Sequence, residues 1–275
     1  YELLNKLNLE SVTVVSLFEF EDEELLNLKK DRTSGEYCWT CTPSVIKYCI
    51  EKYGLESCTY LDADLYFFSN PSILIDEMKD KSVLITKHNY TPEYDLSQTS
   101  GFYCVQFITF KNDKNGIEVL NWWRNACNEW CYARAEDGKF GDQKYLDDWT
   151  ERFEGIHELQ HLGGGVAPWN IQQYKLEERN FEIVFYHFHG FKFLNDNKVL
   201  LIDGYKLRKI DISILYKPYI IHLEKIINYI SKIDNSYDYH GIMTQKNDWK
   251  TPFRFIRNLL NKNSNIYTKN NILGL

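Results

Sequence analysis

The 275-residue sequence contains no long hydrophobic run: none approaches the roughly 18 apolar residues that a transmembrane helix needs, so no such helix is predicted. No basic segment followed by an apolar stretch stands at its start, and we expect no signal peptide. Internal repeats and low-complexity linkers are also missing. Hydrophobic residues make up 44% and charged residues 26%, which excludes disorder over most of the chain. The length suits one large domain, or one domain with an appendage.

The seven cysteines lack the spacing of a zinc site. Cys38-x-x-Cys41 could indicate a redox or zinc pair, but no second CxxC or CxxH pair completes a metal site. An odd number of cysteines, all in the first half of the chain, favours reduced thiols. We therefore predict buried, unpaired thiols and a cytoplasmic protein.

The charge is unevenly distributed along the chain. Residues 1–190 carry 18 Lys and Arg against 32 Asp and Glu, whereas residues 191–275 carry 14 against 7; the two parts, −14 and +7, give the net charge of −7. The acidic body argues against nucleic-acid binding. The change in composition near residue 195 predicts a catalytic domain at 1–194 and a basic, helical C-terminal appendage at 195–275.

The basic tail predicts an amphipathic helix that starts near Pro252. Its apolar stripe consists of Phe253, Ile256, Leu259 and Leu260, with Arg254, Arg257 and Lys262 beside or opposite it. Two interpretations stay open. The helix docks its stripe on the catalytic domain, or it lies on the anionic inner face of a membrane, which would make the protein peripheral there.

β-branched and helical patterns alternate along the first 190 residues. The predicted strands are 11–17, 57–61, 82–86, 102–110 and 181–186, and the predicted helices are 21–30, one opened by Pro43, and 115–134. This alternation is typical of an α/β domain with a doubly wound, mostly parallel, Rossmann-like sheet.

The D-x-D segment Asp62-Ala-Asp64 directly follows a predicted strand. Open α/β sheets bind ligands at the carboxyl ends of their strands, and two carboxylates there can reach one hard cation, Mn²⁺ or Mg²⁺, with phosphate oxygens completing its shell. The alternative is a solvated acidic turn, which the apolar Leu65–Phe68 disfavours. His187 and His189 end another apolar strand. Beside a D-x-D, we predict that one of these imidazoles is a third metal ligand.

Three further segments carry candidates for contacts with a polar ligand. Lys192 is a candidate to neutralise a phosphate. Asp142 and Gln143 lie near a predicted helix start, where Asp142 is either an N-cap or, together with Gln143, is directed at a polar substrate. Trp169 and Asn170 end the segment Gly163–Asn170, which either contacts a sugar or forms a structural turn.

Taken together, these segments resemble a known family. Tyr60-Leu-Asp-Ala-Asp64 resembles the metal motif of GT-A glycosyltransferases. Phe140-Gly-Asp-Gln143 and His187-Phe-x-Gly190 are similar to the D-Q and H-F-x-G segments of the retaining, glycogenin-like glycosyltransferases of family 8, in the same order and spacing. Other segments resemble bacterial sugar-nucleotide transferases: E-Y-C-W-T at 36–40, G-K-F-G-D-Q-K-Y-L-D-x-W at 138–149 and A-P-W-N at 167–170.

The resemblance implies a GT-A fold and a role for each matching residue. Asp62, Asp64 and His187 would hold Mn²⁺ or Mg²⁺ on the diphosphate of a nucleotide-sugar donor, UDP-linked by this likeness. Gln143 would lie beside the anomeric carbon, and Asp142 would hold hydroxyls of the donor sugar. The remaining donor contacts would come from Lys192, Arg32, Trp169 and Asn170.

The chain departs from the family pattern in three places. Cys104-Val-Gln106 stands where family 8 usually has an Asn-Ala-Gly segment, and Lys192 comes one residue early, without the following Pro-Trp. These departures leave the donor and the phosphate contact open. Only one predicted strand precedes the helix that leads to Asp62, so we expect the first nucleotide-binding βα unit to be missing.

The sequence therefore predicts a metal-dependent hexosyltransferase that acts on a hydroxyl acceptor, a bacterial surface glycan or lipid-linked glycan, with retention. Two alternatives remain. Gly141-Asp142…Asp147 also fits the spacing of haloacid-dehalogenase-like phosphatases, although Leu65-Tyr66 departs from their nucleophile motif. The other alternative is a catalytically inactive sugar-nucleotide-binding protein.

Overall fold

The computed structural model describes residues 1–178, 181–234 and 264–274. The helices are α1 (Glu2–Leu7), α2 (Leu17–Phe20), α3 (Glu23–Leu28), α4 (Ser34–Tyr53), α5 (Ser72–Asp76), α6 (Ser97–Ser100), α7 (Lys114–Glu129), α8 (Trp149–Arg152), α9 (Lys209–Asp211), α10 (Lys217–Ser231) and α11 (Lys269–Leu273). The strands are β1 (Ser57–Leu61), β2 (Leu65–Phe67), β3 (Val83–Lys87), β4 (Tyr103–Lys111), β5 (Ile156–Glu158), β6 (Gly164–Val166), β7 (Phe185–His187), β8 (Lys192–Leu194), β9 (Lys198–Asp203) and β10 (Ser264–Thr268). The protein is thus mixed α/β.

The chain divides into two compact units. The DxD unit comprises Val15–Gly165 and Ile183–Phe185, and the histidine unit comprises the described parts of Tyr1–Val14, Val166–Glu182 and Tyr186–Leu275. This division does not coincide with the predicted boundary at residue 195, because residues before it fold with the C-terminal part. The C-terminal part is also not purely helical, since it contains β8, β9 and β10.

The DxD unit is built on a four-stranded sheet with the order β1-β4-β3-β5. β4 pairs antiparallel with both β1 and β3, and only β3 and β5 run parallel. The prediction of a mostly parallel sheet is therefore wrong for this sheet. β3 and β4 are joined by residues 88–102, which contain a 3₁₀ turn and the four-residue α6 but not the long helix that usually returns a chain to a parallel strand.

The core of this unit lies between the sheet and helices α4 and α7. Residues 103–110 of β4 are all buried, and Phe110 stacks on Trp123 of α7 with ring centroids 6.0 Å apart. Leu120, Trp123 and Cys127 form the buried face of α7, as its apolar spacing predicts. The short β2 is held by the Phe68 amide, which donates to the Val184 carbonyl at 2.8 Å.

Three predicted elements differ from those observed. The β-branched run at 11–17 forms no strand; Val12 is 54% exposed, and β-branched residues favour strands only where a sheet surface packs against them. α4 begins at Ser34 and contains Pro43, because Thr33 and Glu36 form a capping box that starts the helix nine residues earlier than predicted. The strand predicted at 181–186 is shorter and lies at 185–187.

The histidine unit contains an antiparallel sheet with the order β10-β9-β8. Phe188 stacks on Tyr219 of α10 with ring centroids 3.7 Å apart, which fixes the segment that carries the histidines. Gly190 ends this segment with φ +76°, and a Cβ there would lie 2.9 Å from Ile202, so no other residue fits the turn without strain. Among the described helices, none is long and apolar enough to cross a bilayer. The predicted tail helix at 250–262 lies outside the described residues.

Candidate functional site

The D-x-D segment is fixed at the carboxyl end of β1, as the sequence predicts. The amide of Asp62 donates to the Gln106 carbonyl of β4 at 3.0 Å, which extends the β1–β4 ladder by one residue. The hydroxyl of Tyr60 donates to the Asp62 carboxylate at 3.0 Å. Burial, followed by the charge of Asp62, raises the pKa of Tyr60, which therefore remains a hydrogen-bond donor to this carboxylate. Asp62 is thereby held in one orientation.

Asp142 is a buried carboxyl in the same unit. Only 5% of the residue is exposed, and its backbone carbonyl accepts a 2.9 Å hydrogen bond from the indole of Trp123 in the core. Burial, and then the nearby charge of Asp62, raise its pKa to about 8, against the opposing effect of hydrogen bonds that include one from Thr42. Asp142 therefore carries its proton near neutral pH, so Asp62 and Asp142 together offer both an acceptor and a donor to a polar ligand.

Helix α4 supplies one side of this carboxyl pair. Thr42 of this helix hydrogen bonds with Asp142. Cys38 lies one turn earlier, and desolvation, followed by the charges of Asp142 and Asp62, raises the pKa of its thiol. Thr42 and Tyr60 were missed by the sequence analysis. The i, i+4 spacing of Cys38 and Thr42 was the available signal, since such residues share one helix face, but only the fold shows which segment that face meets.

Gln143 and Arg32 have partners inside the DxD unit. The Gln143 amide donates to the Ser100 carbonyl at 2.7 Å. The buried Arg32 guanidinium donates to the Thr40 hydroxyl and, at 2.7 Å, to the Asn128 carbonyl, and it lies 5.4 Å from the centre of the Tyr132 ring. Both side chains thus hold the structure around the carboxyl pair. Asp142, near the start of the 3₁₀ helix Lys144–Asp148, is not its N-cap, a position that Gln143 occupies.

The histidine unit brings its two candidate ligands together. The ring centroids of His187 and His189 are 5.6 Å apart, and one ring nitrogen of each lies within 4.8 Å of the other. Trp169 packs edge-on against both rings, at 5.4 and 5.8 Å. His187 is only 4% exposed, whereas His189 is exposed. Two neighbouring imidazoles held by an indole can present nitrogens to one divalent ion.

The remaining predicted residues of this unit have distinct surroundings. Asn170 is fully buried, and its side-chain oxygen accepts a 2.9 Å hydrogen bond from the Ala167 amide, which closes the A-P-W-N turn. Lys192 is exposed at the first position of β8. The structure therefore gives Asn170 a role in the turn and leaves the Lys192 ammonium at the surface.

Comparison with known proteins finds relatives of undefined activity. No established family profile matches the chain. The uncharacterized protein YfnD of Bacillus subtilis (strain 168) is 33% identical over 242 residues, covering 84% of this chain and 78% of YfnD. The uncharacterized protein YfnF of the same strain is 30% identical over 254 residues, covering 86% and 83%.

Among solved structures, a glycosyltransferase involved in the glycosylation of the major capsid of PBCV-1 aligns with 69% of this chain and 82% of its own, at 14% identity and a TM-score of 0.38. A TM-score this low does not establish a shared fold. The sequence identity and coverage of the two Bacillus proteins decide the relationship. The chain belongs to the protein family of YfnD and YfnF.

Proposed function

We propose that this protein is a glycosyltransferase that moves a hexose from a nucleotide diphosphate sugar to a hydroxyl acceptor. One observation carries the proposal: Asp62, held at the carboxyl end of β1, lies close enough to the buried Asp142, which is far from it in sequence, for its charge to help raise the pKa of that carboxyl. The resemblance to family 8 assigns Asp62 to the metal on the donor diphosphate and Asp142 to hydroxyls of the donor sugar. A carboxylate close to a carboxyl that keeps its proton suits the hydroxyls of a sugar, which both donate and accept hydrogen bonds.

The proposal includes a divalent cation held by Asp62, Asp64 and His187, the ligand set that the resemblance to family 8 implies. Carboxylate oxygens and imidazole nitrogens are donors that suit Mn²⁺, and the two imidazoles of the histidine unit fit that use. When bound, the ion supplies positive charge that stabilises a departing diphosphate. Lys192 is proposed to add a further positive charge there, and Gln143 to orient the sugar. UDP as the nucleotide, retention, a bacterial glycan or lipid-linked acceptor, and a cytoplasmic location with peripheral membrane contact remain parts of this proposal.

The phosphatase alternative is weakened by Asp147. That carboxylate would have to serve the reaction centre, but one oxygen accepts the Phe102 amide at 2.7 Å and the other pairs with Lys144 at 2.7 Å. The Asp147 carboxylate therefore holds the 3₁₀ helix Lys144–Asp148 against the start of β4.

The proposal is tested by incubating the protein with UDP-glucose, UDP-galactose, UDP-N-acetylglucosamine and GDP-mannose, with and without Mn²⁺, and measuring release of the nucleoside diphosphate. We expect slow Mn²⁺-dependent hydrolysis of at least one donor. Asp64→Asn should lower this rate at least about 100-fold, because it removes charge from the ion site. The matched control Asp148→Asn alters a surface carboxylate paired with Arg152 and should leave the rate unchanged.

Other outcomes identify the alternatives. Release of phosphate from p-nitrophenyl phosphate, lost in Asp62→Asn, would favour the phosphatase. Binding of a nucleotide sugar without any turnover would favour a sugar-nucleotide-binding protein. A rate that is the same in Asp64→Asn and wild type would contradict the assignment of the cation site.

A further inference from the structure

An aromatic pair stands next to the carboxyl pair of the DxD unit. Trp39 of α4 and Phe140 are both partly buried, and their ring centroids are 6.3 Å apart at an interplanar angle of 42°. Phe140 lies two residues before Asp142, and the intervening Gly141 lies directly against the Trp39 ring. One edge of Trp39 packs against the core, so its position is fixed.

The backbone around Gly141 brings Trp39 and Phe140 close together. Gly141 has φ +54°, and a Cβ at that position would lie 3.3 Å from the Trp39 ring. A glycine there lets the chain turn from Phe140 to Asp142 directly against the indole. The Gly141 amide donates to the Tyr132 carbonyl at 3.0 Å, which fixes the turn from the other side.

The loop that carries Phe140 is itself braced on α4. The Glu36 carboxylate accepts the Ala133 amide at 2.9 Å, and this bond, with those from Thr33, lowers the pKa of Glu36 to about 2. Arg134 lies over the Tyr132 ring at 4.5 Å and over the Trp130 ring at 5.7 Å. The aromatic pair is therefore pre-organised, which lowers the entropic cost of binding a ring against it.

We propose that Trp39 and Phe140 form an aromatic face on which a pyranose ring stacks while its hydroxyls hydrogen bond with Asp142 and Asp62. A pyranose presents polarised C–H groups on its faces and hydroxyls at its rim, and an aromatic face is negative at its centre. Carboxyl groups bordering such a face give the two kinds of contact that a sugar requires. The inference rests on the proposed function for the source of the ring, which is the donor sugar or the acceptor sugar.

The test compares wild type with Trp39→Leu and Phe140→Leu, which keep apolar volume but remove the ring. Trp39→Phe keeps an aromatic face, and Trp122→Leu is the matched control: Trp122 is partly buried against the same core but contacts Tyr145, Phe153 and Arg152. Binding of UDP-glucose, UDP-galactose, UDP-N-acetylglucosamine and the methyl glycosides of these sugars is followed by titration calorimetry and saturation-transfer NMR, which need no turnover. Thermal unfolding checks that each variant is folded.

We expect both leucine variants to bind a sugar probe at least about tenfold more weakly, with saturation lost from the ring protons, while Trp39→Phe and Trp122→Leu stay within about threefold of wild type. Weakening confined to the nucleotide sugars assigns the face to the donor, and weakening confined to methyl glycosides assigns it to the acceptor. The proposal is overturned if Trp39→Leu and Phe140→Leu bind every probe as wild type does, if saturation reaches the base rather than the sugar, or if wild type binds no sugar probe. A protein that binds sugars at this face but turns over no donor would disprove the proposed activity alone.

Discussion

The ionisation of Asp142 makes the stability of this protein depend on pH around neutrality. Its pKa is raised from 3.8 to about 8, first by burial and then by Asp62. Between those values the unfolded chain releases a proton that the folded protein keeps, so stability falls as pH rises from about 4 to about 8. An asparagine side chain at this position has no such proton to keep. We therefore expect the free energy of unfolding of Asp142→Asn, relative to that of wild type, to increase by at least about 2 kcal/mol from pH 5 to pH 8, since one pKa unit corresponds to about 1.4 kcal/mol.

This prediction is checked by urea unfolding at pH 5 and pH 8 in the presence of EDTA, which removes any bound ion. Asp148→Asn serves as the control, because its carboxylate is at the surface, and it should show the same pH dependence as wild type. An equal loss of stability between the two pH values in wild type and Asp142→Asn would mean that Asp142 is ionised in the fold.

Arg32 is predicted by the resemblance to reach the donor, and the structure offers a competing role. Its two terminal nitrogens hydrogen bond with Thr40 and Asn128, so the planar guanidinium joins α4 to α7. A lysine cannot make both bonds in this geometry. We expect Arg32→Lys to lower the free energy of unfolding by about 2 kcal/mol in urea. Arg134→Lys, in contrast, alters exposed contacts with the Tyr132 and Trp130 rings and should cost less than about 0.5 kcal/mol. Unchanged stability in Arg32→Lys, with a raised KM for the donor, would support the donor role instead.

The start of α7 packs so closely against the end of β4 that there is no room for a side chain at Gly116. A Cβ on Gly116 would overlap the carbonyl oxygen of Lys111, whereas a Cβ on Gly35, also in the first turn of its helix, would meet nothing within 4 Å. We expect Gly116→Ala to destabilise the protein by about 2 kcal/mol or more, since overpacking forces the backbone to move. Gly35→Ala should be neutral, or stabilising by up to about 1 kcal/mol, because alanine favours helix.

Urea unfolding of the two alanine variants measures this difference, and far-ultraviolet circular dichroism confirms that both keep their helices. Equal stability of Gly116→Ala and Gly35→Ala would show that α7 can shift away from β4. The comparison separates the steric contact from helix propensity, because both positions gain the same methyl group within the first helical turn.

The seven thiols of the molecule differ in their exposure to solvent. All seven are free, but Cys38 alone among them is exposed, so the prediction of buried thiols is wrong for this residue. Burial raises the pKa of Cys41 to about 11 and, with a smaller effect of Cys49, that of Cys58 to about 11 as well. Thiolates are the reactive form, so buried thiols of raised pKa react slowly.

Exposure therefore decides the order of reaction: we expect a disulfide reagent such as DTNB at pH 8 to modify Cys38 first in the native protein, although its own raised pKa slows that step, and to modify all seven thiols after denaturation. Cys38→Ser should abolish the fast phase, and Cys49→Ser should leave it. Several thiols reacting at one fast rate would contradict the burial of the core cysteines.

Features that depend on neighbouring residues could be predicted from the amino-acid sequence. The apolar spacing of α7 and the strand that precedes Asp62-Ala-Asp64 were predicted correctly, because burial on one face leaves a local period. Three motifs of the resemblance also pointed to Asp62, Asp142 and His187. The capping box at Thr33 and Glu36 is present in the sequence as well, although Pro43 by itself predicts a later helix start.

Features that depend on residues far apart in the chain could not be predicted in this way, because they follow from the fold. The direction of β4, the lack of a strand at 11–17 and the placing of Trp39 beside Phe140 all follow from which segments meet. The proton on Asp142 has the same origin: its pKa is set by loss of water and by the charge of Asp62, and neither can be read from the residues on either side of it. Desolvation and long-range pairing act through space, so a local sequence pattern does not encode them.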